Sequence, residues 1–474
     1  MTVETLILLL MSPVLVILMT QNVVYVVQLV ATFRERAAEP ICVGTPKDLW
    51  RLQSRQSLAI SIVAPAFNEE LSIVQSVRSL LSVNYPHLEV IVVNDGSTDR
   101  TLDILTRAFN LIPRRRAILA KLNHQPIRRI YSSVDHPNLV VVDKVNGRKA
   151  DASNAGIAVA QHPLVCIIDA DSLIDEDALL RASQPFLADD GTIIGVGGSI
   201  RLTNGCAIAG GRLLQLGMPR EWIARFQIIE YMRAFMVARV SASRWGMLML
   251  ISGAFGLFRR EALIEVGGYD HESRGEDLEV AVALQRKARE MGRRSRILFV
   301  ADALCWTEAP FNYAGIRNQR QRWAQGGTEV LMKHRRVLFN RRYGRIGMLG
   351  LPLVLLETLL VPIAELLGYA FVPLLLWLGM SSGWWLLAML VVSLLFGTAV
   401  TLAALAIEET QMRRHEGIGD FALLVACAFL ENLGYRQLNA WFRLRGLKSY
   451  LNRETKWLAV ERQGLGRPAG GAAS

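Results

Sequence analysis

The sequence predicts an α/β domain inserted between transmembrane helices, and three features point there. The 474-residue chain is 51% hydrophobic with a mean hydropathy of +0.27, which is apolar for a purely soluble enzyme. Two long uncharged stretches, Thr5 to Phe33 and the segment between Glu365 and Glu408, are each long enough to cross a bilayer. Between them, from about Leu58 to Arg335, short β-branched runs alternate with helical patterns, as in an α/β domain.

The elements follow in chain order. Residues 1–36 form the first span. Arg34-Glu35-Arg36 comes after the apolar stretch and no small-residue cleavage site ends it, so it reads as a retained anchor rather than a signal peptide. The α/β domain occupies 57–335, with strand candidates at 59–64, 88–94, 139–142 and 164–168. Its helix candidates are 71–82, 101–109, 151–160 and 276–291. Residues 346–365 read as an interfacial helix and span entry, because the apolar run between Arg345 and Glu357 is short. Residues 366–407 read as a transmembrane hairpin turning at Gly379-Met380-Ser381-Ser382-Gly383. Residues 418–441 read as an interfacial or re-entrant helix, and 442–474 as a basic cytosolic tail whose end after Gly464 is Gly/Ala-rich. Three spans place the N-terminus outside and the α/β domain inside. A fourth span through Phe421 to Tyr435 would put the basic tail outside, against the positive-inside rule.

The net charge of +11 follows the same layout. Arg34, Arg36, Arg335, Arg336, Arg341, Arg342, Arg413, Arg414, Arg443, Arg445 and Lys448 all flank apolar segments, and no nucleic-acid motif accompanies them. A nucleic-acid partner is therefore not expected. Cys42, Cys166, Cys206, Cys305 and Cys427 have neither metal-ligand nor disulfide-like spacing and read as packing residues of a reduced protein.

Five short segments carry chemistry. Asp95, in Asn94-Asp95-Gly96-Ser97, emerges at the carboxyl end of a strand, where a carboxylate can meet a nucleobase or ribose; an ordinary Asn-Asp-Gly turn fits equally. Asp169-Ala170-Asp171-Ser172 ends a buried strand. Its two carboxylates can hold a hard divalent cation on a diphosphate, or the loop can simply cap the next helix. Lys144 to Gly156 sets basic groups and a turn at a helix start, Lys149 being the better phosphate candidate and a solvated loop the alternative. Gly275-Glu276-Asp277 opens an amphipathic helix. The dipole alone favours acids there, but it leaves unexplained a glycine that permits close backbone approach. Gln319, Arg322 and Trp323 stand at i, i+3 and i+4, placing an amide, a guanidinium and an indole on one helical face. An interfacial tryptophan anchor explains only the last of these. Trp222, Phe226, Ile229, Arg233 and Val237 also follow helical spacing, which suits either a membrane-surface helix or core packing.

In this order the segments resemble family 2 glycosyltransferases with a GT-A (Rossmann-like) fold, especially the processive synthases of cellulose, hyaluronan, chitin oligomers and poly-β-1,6-N-acetylglucosamine. The run Gln319 to Gly327 is most similar to the last of these, as, more weakly, is a tail with Trp457 and Arg462. The resemblance implies that Asp95 contacts uridine and that Lys149 lies near the nucleotide. It implies that Asp169 and Asp171 hold Mg2+ or Mn2+ with the donor diphosphate, and that Asp277 is the general base. Gln319 and Arg322 then serve the donor, and Trp323 and Glu276 the acceptor. It further implies an inverting, metal-dependent transferase of a bacterial-type inner membrane with its catalytic domain in the cytosol. Such an enzyme extends a β-linked exopolysaccharide from a UDP-sugar, preferably N-acetylglucosamine, otherwise glucose. The alternative is a non-processive enzyme adding one sugar to a lipid-linked acceptor. Gly275 replaces the family's usual Thr, and no C-terminal cyclic-dinucleotide module is expected. Besides donor, glycan acceptor and membrane lipid, three spans suggest a small membrane partner subunit or a homo-oligomer.

Overall fold

The computed structural model describes residues 3–37, 44–187, 189–379, 383–412 and 417–454. The hairpin turn at 380–382, the Gly/Ala-rich end, Trp457 and Arg462 lie outside the described residues.

The strands are β1 (Ile60–Ala66), β2 (Leu88–Asn94), β3 (Leu111–Pro113), β4 (Ile127–Ser133), β5 (Leu139–Lys144), β6 (Leu164–Ile168), β7 (Leu173–Ile174), β8 (Ile193–Leu202), β9 (Ala207–Ala209), β10 (Arg212–Gln215), β11 (Phe255–Arg259) and β12 (Arg296–Thr307). Ten of them form one mixed sheet in the order β3-β4-β5-β2-β1-β6-β11-β8-β12-β7, while β9 and β10 form a separate hairpin. The central β5-β2-β1-β6 block is parallel, and β11 runs antiparallel between β6 and β8. β2, β5 and β6 are almost wholly buried runs of Val, Ile and Leu, as expected of parallel strands covered on both faces. Helices at Ile73–Leu81, Thr101–Ala108, Arg148–Val159 and Ala178–Leu187 supply the cover. The helix Arg148–Val159 can lie on β1 because Gly156 has no side chain; a Cβ there would sit 2.3 Å from Val63 Cγ1. The alternating pattern read from the sequence thus corresponds to real strands and helices, with ends shifted by up to three residues.

The flanking segments differ more. Ile346–Trp377 is one helical run containing two π-helical segments, Ile346–Gly350 and Leu356–Leu360, and not a short interfacial helix followed by a span. Glu357 does not end it, since a single charged side chain removes no backbone hydrogen bond. The expected boundary at 365–366 falls inside this helix. Among the described residues, Met11–Arg34 and Ile346–Trp377 are the helices long and apolar enough to cross a membrane. Ile418–Leu430 and Tyr435–Leu451 meet at 60° and count as a third if the bent pair is one broken span. The second hairpin arm, Gly383–Met412, is helical throughout. Residues 442–451, expected as the start of a tail, instead belong to the helix Tyr435–Leu451, which packs along Tyr313–Lys333.

Trp222–Met232, continued by Arg233–Arg239 and Val240–Arg244, wedges between the sheet domain and these helices. Ile228, Ile229 and Met232 pack with Leu405, Leu424 and Cys427, and Val237 with Ala404 and Ile407. Arg233 donates to Thr401 and Glu431, while Arg201 of β8 pairs with Glu408 at 3.0 Å in a buried ion pair. Ile229 and Val237 of this stripe are therefore core packing between two layers, while Trp222 at its start is exposed.

Candidate active site

The carboxyl ends of the parallel strands set the site, as topology requires of an open α/β sheet. Asp95 directly follows β2, Lys144 closes β5 and Asp169 directly follows β6. β1 lies between β2 and β6, so Asp95 and Asp169 stand two strand spacings apart, about 10 Å. That separation suits the two ends of a nucleoside diphosphate.

Asp95 is buried and clamped. Its Oδ1 accepts from Lys144 Nζ at 2.6 Å and from the Gly147 amide at 3.0 Å. The fully buried Lys144 also reaches Asp151 Oδ1 at 2.6 Å and the Val145 carbonyl at 2.6 Å. Burial pushes the Asp95 carboxyl above its ordinary range, and the Lys144 ammonium only partly offsets that. The turn requires glycine at position 96, where φ is +66° and a Cβ would lie 2.7 Å from the Asn146 nitrogen.

A second cluster is more open. Lys149 Nζ lies 2.5 Å from Asp169 Oδ1 and 3.5 Å from Glu276 Oε1, and donates to the Gly253 carbonyl at 3.1 Å. Its side chain is 30% exposed and that of Asp169 28%. Burial disfavours the Lys149 ammonium, but Asp169 and Glu276 outweigh it and raise its pKa. The Glu276 carboxyl is raised by burial and by Asp277, against Lys149 and Arg322. Asp277, in the first turn of Glu276–Glu290, accepts from the Gly253 amide through Oδ2 at 3.2 Å and from the Leu278 amide through Oδ1 at 2.8 Å. Gly253 thus faces both the lysine and the aspartate, and a Cβ on it would come 2.8 Å from Lys149 Nζ.

Gly275 and Gly326 explain how the helix Tyr313–Lys333 reaches this cluster. A Cβ on Gly326 would fall 2.6 Å from the Gly275 nitrogen, and Arg274 is tied to Glu329 at 2.7 Å. Arg322 on that helix acts on Glu276 electrostatically. Trp323 is exposed, with the Arg320 guanidinium 4.3 Å from its ring centroid. Arg320 is itself buried and paired with Glu230 at 2.7 Å, which also accepts from Tyr435 Oη at 2.9 Å. Gln319 Oε1 is buried without a hydrogen-bond partner among the described residues.

The sequence-selected residues therefore separate into groups. Lys149, Asp169, Glu276 and Asp277 share one cluster with Arg322 at its edge, Asp171 is buried, and Asp95 forms its own ion-pair site. Gln319 and Trp323 lie on the adjoining helix. Gly253, Arg320 and Arg239 were not legible as site residues, and Lys144 stood in the basic run but behind Lys149. Arg239 is pulled down to about 10 by burial, against the nearby Asp277. A signal for Gly253 exists in Ser252-Gly253-Ala254, a small-residue turn entering a buried strand. Among the described residues no three His, Cys, Asp or Glu side chains form a metal cage. Asp169 and Asp171 are hard oxygen donors of the kind that Mg2+ or Mn2+ takes, and in this structure Asp169 is paired with Lys149.

Comparison with known proteins bears on the fold and the family. The chain is 32% identical over 285 residues to a poly-beta-1,6-N-acetyl-D-glucosamine synthase of Staphylococcus epidermidis, covering 60% of this chain and 58% of that protein. It is 29% identical over 275 residues to the protein of the same name from Staphylococcus aureus strain COL, covering 58% and 56%. The chain thus spans a little over half the length of these curated relatives. Among solved structures, the mannosyltransferase PcManGT of Pyrobaculum calidifontis, in complex with GDP-Man and Mn2+, superposes with a TM-score of 0.57 at 18% identity, covering 94% of this chain and 99% of that one. This likeness concerns the fold, and it bears out the GT-A class expected from the sequence. Residues 164–406, from β6 through the hairpin helix, match the family model described as "Glycosyl transferase family group 2", and the chain belongs to that family.

Proposed function

We propose that this protein transfers a sugar from a UDP-sugar to the growing end of a β-linked polysaccharide, processively and with inversion at the anomeric carbon. The site faces the cytosol of a bacterial-type inner membrane in this reading, on the same side as the basic flanks of the apolar helices. N-acetylglucosamine is the preferred sugar, by similarity to the staphylococcal proteins, and glucose the other candidate. The observation that carries the reading is the cluster in which Lys149 bridges Asp169 and Glu276 while Gly253 joins Lys149 to Asp277.

In this mechanism Asp277 accepts the proton of the acceptor hydroxyl as its oxygen attacks the anomeric carbon. The bond to the diphosphate breaks from the opposite face, its electron pair leaves with UDP, and an α-linked donor gives a β-linked product. Lys149 and Arg322 balance charge on the departing diphosphate, and Gln319 lies beside them on the donor side. A divalent Mg2+ or Mn2+ held by Asp169 and Asp171 would supply Lewis-acid stabilisation there. Asp95 receives the uridine, Glu276 orients the acceptor, and Trp323 offers it a flat apolar face. A small membrane partner or a second copy completes the path for the polymer.

Two measurements test this. Asp277→Asn should lower sugar transfer on the order of 10²–10⁴-fold while leaving UDP-sugar binding within about twofold. Near-normal turnover would remove Asp277 as the base. Labelled UDP-sugars, with product digestion and gel sizing, should give long β-linked chains from UDP-N-acetylglucosamine. A single sugar on a lipid carrier would favour the non-processive alternative.

A further inference from the structure

A cavity lies away from the catalytic cluster. It encloses about 950 Å3 between the end of the helix Glu276–Glu290, the end of the helix Tyr313–Lys333 and the turn Arg341–Tyr343. Its cations are Arg286, Lys333, Arg335, Arg336 and Arg342. Two of these are already paired within the fold: Lys333 with Asp270 at 2.7 Å and Glu279 at 2.5 Å, and Arg286 with Glu290 at 3.5 Å. Glu290, the carboxylate in the lining, also accepts from Tyr343 Oη at 3.2 Å. For Arg335, Arg336 and Arg342, no carboxylate lies within ion-pair distance among the described residues. Three guanidiniums therefore line one concavity without a carboxylate paired to them, an arrangement matched to phosphate oxygens.

The surroundings select the source of that phosphate. Arg342 lies four residues before Ile346, where the apolar helix Ile346–Trp377 begins. Phe339, Met348 and Leu349 are exposed on the adjoining surface. Arg345 donates to the Trp245 carbonyl at 3.1 Å, directly after the helix Val240–Arg244, which packs on the helix Val3–Ala37 that carries Arg34 near its end. The cavity thus lies at the level where both apolar helices meet water, beside exposed apolar side chains that acyl chains can cover. We propose that it is a binding site for the headgroup of an anionic phospholipid, held by Arg335, Arg336 and Arg342.

The test uses the full chain purified into nanodiscs of phosphatidylcholine containing phosphatidylglycerol, with bound lipid counted by native mass spectrometry. Each juxtamembrane arginine is worth about fivefold in lipid affinity, so replacing Arg335, Arg336 and Arg342 together by Gln should lower phosphatidylglycerol retention on the order of 100-fold. Arg342→Gln alone should lower it about fivefold, which preserves the test if the triple variant folds poorly. The control replaces Arg107, Arg114 and Arg128, exposed arginines at the β3–β4 edge of the sheet and away from the apolar helices, and should retain lipid within about twofold of the unmodified chain. Equal loss in the control would reduce the site to diffuse attraction and overturn the proposal. Displacement of the lipid by millimolar inorganic phosphate would also overturn it, by assigning the cavity to a soluble ligand.

Discussion

Lys144 and Lys149 stand in one basic segment, yet the fold gives them opposite characters. Lys144 is fully buried, and Asp95, Asp151 and the Val145 carbonyl occupy its ammonium. Lys149 is 30% exposed, and the acids it touches, Asp169 and Glu276, come from two different elements at the cleft. The first pairing sets the shape of the turn that carries Asp95. The second is a partly exposed pairing at the cleft, which the donor's phosphates would rearrange in the proposed mechanism. Two similar ion pairs thus divide between architecture and chemistry according to burial.

That contrast can be broken experimentally, first on stability. Lys144→Met leaves two buried carboxylates without their cation and should cost about 3–5 kcal/mol in unfolding free energy, read by denaturant melts in detergent. An unchanged melt would mean that the Asp95 turn stands without the lysine. Lys149→Met should show the reverse: a stability change within about 1 kcal/mol, as for partly exposed pairs, with transfer reduced on the order of 10²–10³-fold. If Lys149→Met instead unfolded the protein, the two lysines would be structural alike.

Smaller effects sharpen the comparison at the cleft's far wall. Gly326→Ala places a methyl group against the Gly275 backbone and should cost about 1–3 kcal/mol, with a loss of transfer as the helix bearing Arg322 moves away from Glu276. Glu276→Gln addresses pH. The folded pKa of Glu276 is raised by burial and by Asp277, so the folded state holds its proton more tightly than the unfolded one. The stability gained from that proton is complete below the ordinary carboxylate range and lost as pH rises through the raised value. At neutral pH the ionised carboxylate is therefore held at a cost, and the variant should melt no lower than the unmodified chain. Activity runs the other way, because protonating Glu276 removes a partner of Lys149 as pH falls. Glu276→Gln fixes the neutral form, so it should hold transfer at the reduced acid level and remove this limb of the rate profile, and a limb that persists unmoved would assign it to another group.

Much of the α/β domain was legible because its strands are continuous buried runs and its helices are amphipathic, so local pattern and tertiary environment agree. β2 and β6 coincide with their expected limits, and the helix opening at Glu276 begins where the glycine and paired acids put it. β8, β11 and β12 carried no comparably clear pattern. Their glycines, such as Gly198, whose Cβ would meet the Phe255 ring at 2.3 Å, make sense only against a neighbouring strand. The helix Ile346–Trp377 was misdivided because Glu357 resembles a boundary by charge, whereas a helix ends on backbone grounds.

The sequence alone determined which strand ends carry carboxylates, where the amide, guanidinium and indole fall on one helical face, and which stretches are apolar enough for a bilayer. These are properties of residue type and local period. Only the tertiary structure decided that Lys144, rather than Lys149, holds Asp95, that Gly253 links lysine to aspartate, and that Arg320 and Glu230 support Trp323. Each of those contacts joins residues distant along the chain, so its energy depends on burial and on the approach of separate elements, which no local pattern encodes.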